Sequence, residues 1–171
     1  FFCDSSKVIM IELGNQFIDG SSKKTSKNYY LDKLEQHISV DINGRSGSIK
    51  RDLNQEITDL PKANIVTNFG TSEHVKNQFM CFRNIHNFCK IGGIFFHFVP
   101  LINNWKGHGF YKYDLQFFDQ LSSINNYEII ENKIFLEGKY GSPNRAMVLC
   151  IMKKTVDNFN SSEEFYEKNI H

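Results

Sequence analysis

Short apolar runs recur along the chain at intervals long enough for a crossover connection, and each closes on a small or polar residue. Val8-Ile9-Met10-Ile11 closes on Glu12-Leu13-Gly14, Ile38-Ser39-Val40 on Asp41, Ser48-Ile49-Lys50-Arg51 on Asp52, and Asn64-Ile65-Val66 on Thr67-Asn68-Phe69-Gly70. A fifth run, Ile94-Phe95-Phe96-His97-Phe98-Val99, opens after Gly92-Gly93 and stops at Pro100. Runs of β-branched and aromatic residues spaced in this way predict a parallel sheet in an α/β fold. The link between the second and third runs is too short for a helix and predicts a tight connection.

Between the runs, helical periodicity is clearest from Glu73 to Lys90. Val75, Phe79, Phe82, Ile85, Phe88 and Cys89 fall at intervals of three and four, and Gly92-Gly93 supplies a stop. Leu115, Phe117, Phe118 and Leu121 predict a second helix over Asp114 to Ser123, with Asp114 as its N-cap. Lys23 to Gln36, with Tyr29, Tyr30, Leu31 and Leu34, is read as a third. The pattern then changes. Tyr127–Glu137 and Ala146–Met152 read as strands on either side of a Gly/Ser/Pro loop, Gly138 to Asn144, which predicts an antiparallel hairpin. The domain is expected to cover residues 1–154, with a polar tail, frayed or briefly helical, over 155–171.

Composition narrows the classes. The chain has 171 residues, with 20 Lys and Arg against 19 Asp and Glu and a formal net charge of +1. A basic face that would displace counterions from a nucleic-acid backbone is not expected, so no nucleic-acid partner is predicted. The longest apolar runs, Ile94–Phe96 and Val148–Met152, are strand-sized, and no membrane partner is predicted. The start at Phe1-Phe2-Cys3, without Met or a charged leader, is not read as a secretory signal. Cys3, Cys81, Cys89 and Cys150 show neither C-x-x-C nor zinc spacing and are read as reduced structural thiols, consistent with a cytoplasmic compartment.

Ligands of an open parallel sheet bind beyond the carboxyl ends of its strands, which directs attention to the residues closing the runs. Glu12 precedes a glycine that lets the backbone turn tightly, and its carboxylate can accept from an amine or hydroxyl. Asp41 is placed to accept from ribose hydroxyls and Asp52 from an adenine amino group, although an Asp at a strand end is also a common turn former. Glu73, His74 and His108 fall on loops or helix starts at the same edge. Imidazole is the side chain whose ordinary pKa suits a base for deprotonating an alcohol. The same histidines are equally ordinary surface or capping residues, and Ser72 with Glu73 could simply cap the long helix. His97, among Phe95, Phe96 and Phe98, reads as a core or pocket-wall residue. Glu73, His74, His97 and His108 are ligand types on one edge, but no spacing such as H-x-x-x-H ties them together, and no metal is predicted. The Trp105–Tyr113 loop, aromatic and glycine-bearing, has the composition of a substrate cover, with Trp105 and Tyr111 as apolar walls.

Taken together, Val8–Gly14, Val40-Asp41, Asp52-Leu53, Asn64–Phe69 and Lys90-Ile91-Gly92-Gly93-Ile94 resemble the motifs of the class I, Rossmann-like S-adenosylmethionine-dependent methyltransferases over residues 7 to 154. Gly70–Val75, Ile85-His86, His97 and Gly107–Tyr111 further resemble a branch acting on small molecules and sugars. The resemblance implies a mostly parallel seven-stranded sheet flanked by helices and ending in an antiparallel hairpin. It implies S-adenosylmethionine as cofactor, with S-adenosylhomocysteine as product. Its cofactor contacts would be Glu12, Gly14, Asn15, Gln16, Asp41, Asp52, Leu53, Asn68 and Phe69, and its partner a small polar acceptor. On that reading His74, His108 and Glu73 are the catalytic candidates, and Trp105, Tyr111 and His97 contact the acceptor. Gln16 stands where the superfamily usually has a second glycine. The absence of G-x-G-x-x-G argues against a nicotinamide dinucleotide enzyme, and Asn68-Phe69-Gly70 is not the Pro-Pro-aromatic motif of base-amine methyltransferases. A non-catalytic module on this fold, and a nucleotide-binding enzyme of other chemistry, stay open as alternatives.

Overall fold

In a computed structural model, which describes residues 7–17, 24–30, 32–136 and 145–170, the apolar runs assemble into one seven-stranded sheet. The strands are β1 (Ile9–Leu13), β2 (Gln36–Asp41), β3 (Ile49–Lys50), β4 (Ala63–Phe69), β5 (Cys89–Pro100), β6 (Glu128–Leu136) and β7 (Ala146–Lys153). Their order is β3-β2-β1-β4-β5-β7-β6. The first five run parallel, and β7 lies antiparallel to both β5 and β6. This is the Rossmann-like arrangement expected from the sequence, hairpin included. The hairpin's connection, Gly138 to Asn144, lies outside the described residues.

Alternation along the strands sorts the side chains onto two faces. The register pairs Leu13 with Val40 and Asn68, Asn68 with His97, and His97 with Cys150, so these five share one row. Helices α2 (Gln78–Phe88), α3 (Leu115–Asn125) and α4 (Glu163–Asn169) pack on that face, through rings of Phe82, Phe117 and Tyr166 whose centroids lie 5.3–6.2 Å apart. Glu12, Ser39, Thr67, Phe96 and Ile151 form the adjoining row on the opposite face. There α1 (Ser26–Tyr30) is anchored by the Ser26 hydroxyl, which donates to Glu12. Cys81, Cys89 and Cys150 are buried free thiols, and burial pushes the Cys89 thiol up to about 12. Cys3 lies outside the described residues. No helix among the described residues is long and apolar enough to cross a membrane.

Several boundaries differ from those the pattern predicts. The long helix begins at Gln78, not Glu73, and it is Asn77, not Ser72, that caps it, accepting from the Met80 amide at 2.9 Å. Ser72–His74 is instead a separate 3-10 turn. The Glu73 carbonyl accepts the amides of Phe110 (2.7 Å) and Tyr111 (3.2 Å) from a distant loop, and Val75 is extended, so the helical ladder cannot start there. The helix also ends earlier, at Phe88. Cys89 is extended and pairs with Ala63, and Gly92-Gly93 falls within an irregularity of β5. The expected Lys23 to Gln36 helix reduces to Ser26–Tyr30, because Glu35 and Gln36 already donate to the Val8 carbonyl as β2 enters its register; positions 23 and 31 lie outside the described residues. The Asp114 cap is as predicted, with its carboxylate accepting from the Phe117 amide at 2.7 Å.

Candidate functional site

At the carboxyl ends of β1, β2 and β4 lies a cavity of about 270 Å³. Gly14, Asn15, Gln16, Asp41, Asp52 and Leu53, all proposed cofactor contacts, line it together with Thr71 and His74. The turn after β1 is pinned from several sides. The Gly14 amide donates to the Val40 carbonyl (2.7 Å) and the Asn15 amide to the Asp41 carboxylate (3.1 Å). The Thr71 hydroxyl donates to the Leu13 carbonyl (2.8 Å) and accepts from the Gln16 side-chain Nε2 (3.2 Å). Gly14 has φ +79°, and a Cβ there would lie 2.6 Å from Thr71 Oγ1 and 2.8 Å from Gln16 Nε2. Only glycine combines that backbone with that approach. Gln16 thus closes the loop against Thr71, where a second glycine would leave it open.

The two strand-end aspartates are tied into the loops. Asp41 also accepts from the Asn43 amide at 2.8 Å, and Asp52 accepts from the backbone and side chain of Asn54 at 2.9 and 2.7 Å. These turn-forming bonds leave room for further donors, because each carboxylate has about four lone-pair sites. Asn15 Oδ1, in contrast, is buried at this cavity without a donor among the described residues.

A second recess, of about 480 Å³, adjoins the first through the shared residues Gln16 and Gly70. Phe69, Phe98, Met147 and Trp105 give it apolar walls, and Glu73 and His108 line it as well. Trp105 is fixed by its indole N–H, which donates to the Ala146 carbonyl at 3.0 Å. Glu73 is fully buried, while the side chains of His74 and His108 are 48% and 43% exposed. His108 Nε2 lies 3.4 Å and His74 Nε2 3.9 Å from Glu73 Oε1, and the two imidazoles meet edge to face with centroids 4.8 Å apart. Burial pushes the Glu73 carboxyl up and the His74 imidazole down, the latter helped by the charges of His108 and Lys112.

Backbone contacts hold this group together. Beyond the two amides on the Glu73 carbonyl, Gly109 (φ +64°) comes so close that a Cβ would meet Glu73 Cγ at 2.8 Å. Beneath the 3-10 turn runs a buried polar chain. Asn68 donates to Ser72 Oγ (2.8 Å), which lies 2.9 Å from the Tyr113 hydroxyl, and that hydroxyl donates to Gln78 Oε1 (2.7 Å). A fully satisfied network of this kind fixes one geometry for the turn it supports.

Four proposed contacts stand elsewhere. Glu12 does not line the cavity; its carboxylate points to the α1 face, where Ser26 and Ser39 (2.9 Å) donate to it, and burial pushes its pKa up. Its place is to hold the loop rather than to touch a ligand. Asn68 is buried in the network just described, and only its neighbour Phe69 reaches a recess. His97 is a core residue. It stacks on Phe82, lies against Phe118, and takes the Asn68 amide at Nδ1 (3.2 Å), because strand alternation points it towards the helices. Tyr111 turns away from the recess, and its hydroxyl donates to the Lys76 carbonyl (3.0 Å). Thr71, Phe98 and Met147 were not singled out by the sequence. Phe98 could have been, since it is two residues beyond Phe96 and so shares the Glu12 face.

No protein-family model matches the sequence, and no curated protein does. The 1,6-didemethyltoxoflavin-N1-methyltransferase of Burkholderia thailandensis, solved with bound 1,6-didemethyltoxoflavin and S-adenosylhomocysteine, superposes with a TM-score of 0.64 over 88% of this chain and 72% of its own, at 12% identity. The N-methyltransferase NodS of Bradyrhizobium japonicum WM9 gives 0.62 over 89% of each chain at 11% identity. The chain has the Rossmann-like methyltransferase fold. The [4+2]-cyclase SpnF matches as well, with a TM-score of 0.65 over 90% of this chain and 76% of its own at 12% identity. The same architecture therefore also occurs in a protein described by a different chemistry.

Proposed function

We propose that the protein is an S-adenosylmethionine-dependent methyltransferase acting on a small polar acceptor. The observation that carries this reading is the pair of adjoining recesses at the carboxyl edge of the sheet. One is bounded by Asp41, Asp52 and His74, the other by apolar walls with Glu73 and His108. The first fits the donor's chemistry: Asp41 and Asp52 can accept from hydroxyl and amino groups, Asn15 Oδ1 has no donor among the described residues, and Leu53 and Val75 offer apolar contact. Bound there, S-adenosylmethionine supplies an electrophilic methyl group on a sulfonium.

The chain's own residues do the rest. Gln16 and Gly70 border both recesses, so a small acceptor held among Phe69, Phe98 and Trp105 stands beside the donor site. Positioning of this kind can lower a barrier by about 7–11 kcal/mol. The apolar walls exclude water from the transfer. For an oxygen acceptor a proton must also leave, and the Glu73, His74 and His108 group is the part of the chain fitted to receive it.

Calorimetric titration with S-adenosylmethionine, S-adenosylhomocysteine and NAD tests the reading; the first two should bind and NAD should not. With an acceptor in hand, His108→Ala should lower turnover by roughly 10²–10⁴ with cofactor affinity little changed. A second reading, a binding module or an enzyme of another chemistry, is favoured by the closed Gln16–Thr71 contact and by the cyclase on this fold. Tight S-adenosylhomocysteine binding without methyl transfer to any acceptor would point to it.

A further inference from the structure

Glu12 and Glu73 are both buried acids, and the chain treats them differently. Glu12 receives two hydroxyl donors, whereas neither carboxylate oxygen of Glu73 has a hydrogen-bond partner among the described residues. A buried carboxylate without a partner is strongly disfavoured. What faces it is a pair of imidazole nitrogens at 3.4 and 3.9 Å, longer than the roughly 2.7–2.9 Å of a charge-assisted hydrogen bond. Those separations suit a different partner. With bonds of about 2.0–2.2 Å in tetrahedral geometry, the ligand atoms of a zinc-type ion stand roughly 3.3–3.6 Å apart. The three ligand atoms here all lie within 4.8 Å of one another. The widest separation closes by rotation of the half-exposed histidine side chains, while Glu73 stays fixed by Gly109 and by the amides on its carbonyl.

We propose that Glu73, His74 and His108 form a binding site for a divalent transition ion of the zinc and cobalt type. Two imidazoles and one carboxylate select such ions over magnesium and calcium, which prefer oxygen ligands. Three protein ligands leave a coordination position open, as in catalytic rather than structural sites. Glu73 and His108 line the recess with Phe69, Phe98 and Trp105, so the open position is accessible from it. Ion binding stands on this geometry alone. Its role, which rests on the methyl-transfer reading, would be to lower the pKa of a coordinated acceptor hydroxyl, so that its proton passes to solvent water before the oxygen takes the methyl group; this replaces direct proton removal by an imidazole.

The test is calorimetric titration of the chelator-treated, desalted full chain with zinc, cobalt and magnesium chlorides, alongside visible spectroscopy of the cobalt form. One zinc or cobalt ion per chain should bind, magnesium should not, and cobalt should show the ligand-field bands of a low-coordinate site. His108→Ala and Glu73→Gln should each weaken zinc binding by at least about a hundredfold while S-adenosylhomocysteine affinity stays unchanged. Absence of zinc binding by the folded chain, or zinc affinity in both variants unchanged from that of the parent chain, overturns the site. Ion binding as expected without any S-adenosylhomocysteine binding supports the ion site and overturns the methyl-donor reading.

Discussion

Gly109 sits against Glu73 with no room for a side chain: a Cβ on it would lie 2.8 Å from Glu73 Cγ and 3.0 Å from the Glu73 carbonyl oxygen. That approach joins the turn after β4 to the loop after β5. Gly109→Ala should destabilise the protein by about 1–3 kcal/mol, from the left-handed backbone and the overpacked contact together. Denaturant unfolding of the two proteins measures it, and an unchanged midpoint would show that the loops are not clamped there.

Asp41→Ala should weaken S-adenosylhomocysteine binding by about 1–3 kcal/mol, roughly 5- to 150-fold, through loss of a hydroxyl acceptor. Because Asp41 also caps the Asn15 and Asn43 amides, some stability should be lost as well. Calorimetry and thermal melting separate the two effects. An intact fold with unchanged affinity removes Asp41 from the site.

The buried histidines predict a pH dependence. Burial holds His97 down to about 3 and His86 down to about 4; for His86 the charges of Lys154 and Lys62 add to this, while the carbonyl and carboxylate of Asp157 oppose it. Both native values lie below the ordinary 6.5, so between them the unfolded chain binds more protons. Stability is then whole above about pH 6.5 and falls as pH drops towards 4, by up to about 1.4 kcal/mol per unit for each histidine. Glu12, whose carboxyl is pushed up, acts in the opposite sense and reduces the slope. Imidazole resonances of His86 and His97 should stay fixed from about pH 8 to 5; titration near 6.5 contradicts their burial as neutral rings.

Duplex and single-stranded DNA and RNA should bind weakly and with steep salt dependence, given the net charge of +1. Mobility-shift assays at physiological salt check this. Submicromolar, sequence-selective binding would overturn it.

The sequence by itself determined the sheet and its carboxyl edge. Each apolar run is short, β-branched or aromatic, and closed by a turn former, so strand positions and their carboxyl ends follow from local composition. The Asp114 cap and the tight link after Asp41 are local in the same way. Period-2 alternation also carried information that residue type hid, since it sends His97 to the helix face with Asn68. Tertiary structure alone decided what the acids and histidines do. Glu12 and Glu73 look alike as acids near the carboxyl ends of sheet strands, yet one is hydroxyl-bonded beneath a loop and the other, without a hydrogen-bond partner among the described residues, stands beside two imidazoles. That difference comes from partners far along the chain. Ser26 and Ser39 reach Glu12 through α1 and β2, and the loop bearing Gly109 and Phe110 folds back onto Glu73 and delivers His108 to it. No spacing in the sequence encodes a contact made by a returning loop, because its geometry depends on the sheet that brings the two ends together.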